Sequence, residues 1–367
     1  MSFGATIALR ALAVGFIMSF VVITGFAYTT LLERRLLARL QARVGPNRVG
    51  WIPLPRKGRS EFRLIGGIMQ PAADAVKLFF KEDFRPAIAE DSVMYNLAPM
   101  LSVVPAVLIL AVIPWAPRIA LITPDHYDYF AIAPGLSIGV LFILAVTSVG
   151  VYSIALAGWA SNSKYAVLGA IRATAQMISY ELALSLTVLP PIMIAGSMNL
   201  NDITVAQKGS WFILHQPVAA IVFIIAVFAE LQRAPFDLLE AEQELSSGYN
   251  VEYSGMRFGM FFMAEYMKMI SFSAIIVILF FGGYLGPLIE QVPALGFLHL
   301  FVKIFLCLCF MIWVRASMPR LRYDQLMSFG WKVLLPIAVL NFIVTAIFIV
   351  VNAEMSGATG ALQLFVG

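Results

Sequence analysis

The stretch from Ala229 to Gly255, AELQRAPFDLLEAEQELSSGYNVEYSG, gathers Glu230, Asp237, Glu240, Glu242, Glu244 and Glu252 in a chain that is only 13% charged overall. Carboxyl groups so placed can hold and release protons. Pro235 disfavours helix at Ala234 and opens a turn. Beyond it, Asp237, Glu240 and Glu244 fall three and four residues apart and form one acidic face if the segment is helical, with Glu242 pointing away from it. Like charges at that spacing destabilise an isolated helix. Such a face is tolerated when it is solvated, paired with cations, or carrying protons. Phe236, Leu238, Leu239 and Leu245 lie within the segment and apolar runs flank it. These neighbours favour burial of some of the acids over a plain solvated loop.

Further acids stand inside the apolar runs themselves. Glu181 lies in LGAIRATAQMISYELALSLTVL, with Thr174 and Ser185 on its face. Glu265 lies in FGMFFMAEYMKMISF, three residues before Lys268. Glu230 ends a third run, with Arg233 three residues on, on the same helical face. A charged carboxyl at the centre of a bilayer helix costs about 2.5–3.5 kcal/mol. Burial and nearby cations move carboxyl pKa values in opposite directions, so such groups can exchange protons near neutral pH. One of them alone is as well explained by interhelical hydrogen bonding. Glu181, Glu230 and Glu265 together, beside an acidic loop, favour a proton path.

The elements that must position these residues follow from hydropathy. The chain has 367 residues and is 60% hydrophobic, whereas soluble domains are roughly half apolar and a quarter charged. Apolar runs of spanning length fall near 7–32, 94–117, 131–158, 166–195, 213–234, 258–286, 297–318 and 333–352. They are continuous rather than alternating, which favours helices over a barrel. The fold class is therefore an all-α integral membrane protein, a single polytopic domain over 1–367 with about eight transmembrane helices. The N-terminal run is read as a retained first helix. Residues 33–93 form a basic cytoplasmic loop, and 235–257 an acidic one. Within the first, SEFRLIGGIMQPAADAVKLFFKE at 60–82 is too polar to span, but after Pro71 the residues Ala72, Val76, Phe79 and Phe80 give it an apolar face, as expected of an amphipathic helix at the membrane surface. Lys and Arg concentrate on the side of these loops, which places both termini on the opposite, periplasmic side.

Other chemistries find little support. Cys307 and Cys309 are two apart in an apolar run, and His126, His215 and His299 have no partner at ligand spacing, so no haem, iron–sulfur or zinc pattern is present. The net charge of +4 reflects topology, without a nucleic-acid motif. GGYLG at 282–286 belongs to a span and is not a phosphate cradle.

Two basic segments complete the pattern. In LLERRLLARLQARVGPNRVG, Arg35, Arg39 and Arg43 recur every four residues before VGPN breaks the helix. Lipid contact and topology marking explain part of this; docking of a soluble partner or guidance of a polar headgroup explains the rest. RASMPRLRYDQLMSFGWK is dense in Arg, Tyr and Asp for so short a link and reads as a wall of the same site.

The blocks ERRLLARLQARVGPNRVG, QPAADAVKLFFKED, GWASNSKYAVLGAIRATAQMISYE, the acidic stretch continued through MRFGMFFMAEY, and RASMPRLRYDQLMSFGWK occur in order along nearly the whole chain. Together they resemble the membrane subunit that joins the two arms of the proton-pumping NADH:quinone oxidoreductase, respiratory complex I. The resemblance implies a subunit of an oxidoreductase whose FMN and iron–sulfur clusters lie on partner subunits. Its substrate is a quinone, ubiquinone or menaquinone, which enters from the bilayer. Its partners are the peripheral-arm subunits that complete the quinone cavity and the antiporter-like membrane subunits. It implies that Glu33, Arg34, Arg43 and Asp74, with Phe236, Asp237, Arg320 and Arg322, belong to the quinone cavity or its entrance. It likewise assigns Glu181, Glu230, Arg233 and Glu240, with Glu242, Glu244, Glu252 and Glu265, to the coupling chain.

Leu231-Gln232, Leu239, Ser246-Ser247 and a longer first loop depart from the pattern without removing a titratable group. Length and the extended loop point to a bacterial inner membrane. Related membrane-bound hydrogenases carry a similar subunit. A stand-alone proton-coupled transporter is the alternative from another class, and it predicts internal repeats that the sequence lacks. A passive anchor leaves Glu181 and Glu265 unexplained.

Overall fold

Backbone amides among apolar neighbours must find partners within the chain, and among the described residues they do so almost entirely by helix. The computed structural model describes residues 3–47, 49, 67–87, 89, 91–117, 119–120, 127–128, 133, 135–237, 248–289 and 291–355. Apart from one two-residue antiparallel pairing, β1 (Ile119–Ala120) with β2 (Tyr127–Asp128), the regular structure described is helical.

Helix α1 (Phe3–Leu40) has 38 residues. At about 1.5 Å per residue it outruns a hydrocarbon layer of about 30 Å. The helix runs unbroken through Glu33, Arg34, Arg35 and Arg39 to Leu40. The chain returns through α2 (Gln70–Phe80), which packs beside α1 and buries none of its residues. α3 (Ser92–Leu110) starts where the Asp91 carboxylate accepts from the amides of Val93 and Met94 at 3.0 and 3.2 Å, satisfying two orphan donors. α4 (Gly139–Ala160) and α5 (Lys164–Ala195) cross closely: a Cβ on Gly158 would lie 2.2 Å from that of Ala170. Short α6 (Leu200–Ala206) and α7 (Phe212–His215) lead into α8 (Pro217–Glu230). α9 (Gly255–Phe280), α10 (Leu295–Ser317), α11 (Tyr323–Phe329) and α12 (Leu335–Met355) follow, with one π turn over Gly330–Leu334.

Among the described residues, six helical segments are long and apolar enough to cross a membrane, and α8 is a shorter apolar helix. α9 is the central member, with 83% of its apolar window buried against 17% for the segment that ends in α12. It packs on α1, α2, α3 and α10, while α5 packs on α4, α8 and α12. Several boundaries differ from the hydropathy reading for local reasons. α9 stops at Phe280 rather than 286 because Gly282 and Gly283 take positive φ. α8 stops at Glu230 rather than 234 because Gln232 takes φ +53.

Polar groups tie the ends of α6, α7 and α9 to one another and to α10. The Gln207 amide nitrogen donates to the carbonyls of Ile278 (2.8 Å) and Ile203 (3.2 Å), and its oxygen accepts from the amides of Gly282 (2.9 Å) and Phe212 (3.2 Å). The Lys303 ammonium donates to the carbonyls of Phe281, Gly283 and Leu285 at 2.6–3.0 Å. Both close the C-terminus of α9 with groups from other helices. Gln207→Leu strands buried amides and carbonyls at about 1–3 kcal/mol each. It is expected to lower the thermal midpoint of the detergent-solubilised protein by several degrees while leaving low-temperature activity unchanged, as checked by thermal unfolding alongside turnover.

Candidate functional site

The turn after α8 is where the polar residues converge. Because α8 ends at Glu230 and Gln232 reverses the backbone, Arg233 leaves the face of Glu230. The i,i+3 expectation for that pair therefore fails, since a left-handed residue stands between them. Arg233 instead enters a buried cluster. Its Nη1 donates to Glu33 Oε1 at 3.1 Å and Oε2 at 3.4 Å, its Nε lies 2.7 Å from Glu265 Oε1, and its guanidinium sits 4.6 Å from the ring centre of Tyr266. Arg315 of α10 pairs with the same carboxylate through Glu33 Oε1. Arg233 and Glu33 are 4% and 3% exposed, so an unpaired charge here would be costly. The fork of a guanidinium suits a site between two carboxylates. Four segments, α1, the turn, α9 and α10, are joined through these groups.

The turn is held from behind by Gln176 of α5, whose side-chain amide donates to the carbonyls of Ala229 and Phe236, both at 2.9 Å. The Phe236 ring packs between Tyr180 at 5.6 Å and Phe329 at 6.4 Å. Asp237, 3% exposed, lies 3.4 Å from Arg320, and the Leu321 amide donates to the Pro235 carbonyl at 3.0 Å. The segment 320–321 thus walls the turn.

Beside the cluster is a cavity of about 600 Å³ lined by Glu230, Gln232, Glu265, Lys268, Arg320, Ser102 and Ser153, with Phe258, Phe261 and Phe262 on its apolar side. Glu230 is 4% exposed, its Oε2 has no hydrogen-bond partner, and it feels the charges of Lys268 and Glu181. Glu181 accepts from the Ser148 hydroxyl of α4. Below, the rings of Tyr95 and Tyr253 stack at 4.3 Å, and burial pushes the Tyr253 phenol well above its ordinary range.

The other candidate residues lie apart. Arg34 pairs with Asp74 at 2.8 Å and ties α1 to α2. Arg43 bonds locally to Gln41, and exposed Arg322 forks onto Asp324. Glu252 is half-buried and its carbonyl accepts from Tyr95 at 2.7 Å. Glu240, Glu242 and Glu244 lie outside the described residues. Gln176, Arg315, Tyr266 and Ser148 were not singled out from sequence. Only Arg315 left a trace there, as a basic residue closing an apolar run.

Geometry defines the class first: a multi-pass helical membrane protein with a buried ion cluster beside a polar-walled cavity. Comparison then supplies the family. Residues 13–346 match the NADH dehydrogenase family. The chain is 48% identical over 326 residues to an H-type NADH-quinone oxidoreductase subunit of Geobacter sulfurreducens, covering 89% of this chain and 92% of that one. It is 47% identical over 326 residues to an H-type subunit of the same enzyme from Geobacter metallireducens, with the same coverage. It is 46% identical over 329 residues to the H-type subunit from Syntrophotalea carbinolica, covering 90% and 93%. The chain belongs to this family.

Removing Arg233 leaves two buried carboxylates unbalanced, at about 3–5 kcal/mol. Arg233→Met is expected to cut the amount of folded chain in membranes several-fold. Arg233→Lys should rescue little, because one ammonium lacks the fork that meets both Glu33 and Glu265. Quantitative blotting of detergent-extracted protein reads both.

Proposed function

We propose that this chain is the complex I subunit that shapes the quinone entry channel and part of the quinone cavity, and that couples quinone reduction to proton translocation through buried glutamates. The observation that carries the reading is a meeting of two residue sets. Glu230 and Glu265, of the coupling set, line the same cavity as Arg320, of the quinone set. Arg320 in turn holds Asp237 beside Phe236. Charge that changes on one set is felt by the other across a few ångströms of low-dielectric protein.

In this reading the peripheral-arm subunits bring FMN and iron–sulfur clusters and complete the quinone cavity, and antiporter-like membrane subunits receive the coupling signal. Quinone, ubiquinone or menaquinone, is a substrate and enters from the bilayer. Its reduction draws protons or shifts charge near the acidic loop that contains Glu240, Glu242 and Glu244. The shift biases Glu230, which faces Glu181 and Lys268, and Glu265, which shares Arg233 with Glu33. Each step is a change of proton occupancy driven by a neighbouring charge.

α1 and α8 join the six long apolar segments to make eight spans, an even number that returns both termini to one side. The Lys and Arg of the first loop support the periplasm of a bacterial inner membrane as that side. α2 lies at the interface, with Val76, Phe79 and Phe80 exposed for lipid and Arg34–Asp74 fixing it to α1.

Glu230→Gln keeps shape and removes the charge. It is expected to leave NADH oxidation at the flavin by an artificial acceptor intact. NADH-driven quinone reduction and proton pumping should fall by on the order of tenfold or more. Both rates are read in membrane vesicles, and normal reduction with normal pumping would remove Glu230 from the coupling role.

A further inference from the structure

Lys268 lines the same cavity as Glu230 and Glu265, and the proposed function gives it no role beyond facing Glu230. It projects from the middle of α9 and is 8% exposed. Its ammonium occupies a niche left by Gly150 of α4: a Cβ there would lie 2.8 Å from Nζ and 3.3 Å from Cε. A side chain at residue 150 would fill the place the ammonium takes.

Charges of both signs surround Lys268. Glu33, Glu181, Glu230 and Glu265 are the acids, and Arg233 and Arg315, with Arg320 on the cavity wall, are the other cations. The three arginines are held in ion pairs. Among the described residues Lys268 makes no such pair, although it interacts electrostatically with Glu230 and then Glu265. Glu230 has an oxygen with no hydrogen-bond partner. Glu265 is one turn earlier on the same helix face, and Glu230 lies across the cavity, which is large enough to admit water. The remaining polar groups facing this space are Ser102 of α3, Ser153 of α4, Gln232, Tyr249, Asn250 and Arg320. A lysine is a point charge on a flexible stem, whereas an arginine is a rigid fork. Lys268 is therefore the cation here that can move, beside arginines held in ion pairs.

We propose that Lys268 is the switching cation of this site, a positioning residue whose ammonium moves between Glu230 and Glu265 and so sets which of the two carboxylates carries negative charge. No bond is made or broken in the movement. The carboxylate that loses the ammonium becomes the better proton acceptor, and the one that gains it is held ionised. The inference rests on the coupling reading of Glu230 and Glu265 given above.

The test measures protons moved per electron, with the complete complex in inside-out vesicles. Wild-type vesicles must first show inhibitor-sensitive NADH–quinone reduction with proton uptake. If they do not, the functional reading fails and this inference goes with it. Given that activity, Lys268→Met is expected to lower the proton-to-electron ratio by about twofold or more while the flavin-site rate and the amount of complex stay at wild-type levels. Gly150→Ala keeps the charge but displaces the ammonium, and is expected to lower the same ratio. A purely structural lysine would change the amount of complex and leave the ratio of what remains untouched. A wild-type ratio in Lys268→Met overturns the proposal. If Lys268→Met does not assemble, Gly150→Ala decides: a lowered ratio supports the moving cation, and a wild-type ratio overturns it.

Discussion

Arg233 sits between Glu33 and Glu265, and much of the molecule is arranged around that contact. Two carboxylates and two guanidinium groups, with Arg315 as the second, meet where bulk water is largely excluded. Burying them has a large desolvation cost, offset only if every charge finds a partner in good geometry. The requirement brings the end of α1, the turn after α8, the first half of α9 and the end of α10 to one point. It also explains why α8 stops short. A helix continued through Arg233 would carry the guanidinium around the α8 axis and away from Glu33.

The same constraint links packing to chemistry. Gln176 holds both ends of the turn, so Glu230 at its start and Phe236 at its close keep a fixed separation. Glu230 is thereby aimed into the cavity and Asp237 toward Arg320. A neutral cluster in a low-dielectric setting responds strongly to one added or removed charge nearby. A rigid, balanced ion network beside a cavity is a suitable receiver for a charge change at a quinone, because its electrostatic state shifts before its fold does.

Much of this was legible in the chain itself, for physical reasons that differ by feature. Runs such as 166–195 and 297–318 announce themselves because lipid demands unbroken apolar length. Glu181, Glu230 and Glu265 stand out because a carboxyl in such a run needs a reason. Partners were harder to read. Glu33 meets Arg233 and Arg315 from 200 and 282 residues away, and no local spacing encodes those pairings. The i,i+3 rule joined Glu230 to Arg233, and one left-handed residue, Gln232, undid it. Gln176 looked like an ordinary polar residue on a helix, because its role depends on carbonyls more than 50 residues away. Helices as short as α6 and α7 have too few turns to show a period at all.

The central claim is that buried carboxylates of this chain change state when quinone is reduced. The direct measurement is a redox-induced infrared difference spectrum of the intact complex in the carboxylic-acid stretching region. It would be recorded as quinone is reduced, with wild-type chain and with Glu230→Gln. The account predicts bands for protonated carboxyl groups that appear or vanish with quinone reduction, with at least one of them missing from the variant. A wild-type spectrum without carboxylic-acid bands, or identical spectra from both proteins, would contradict it.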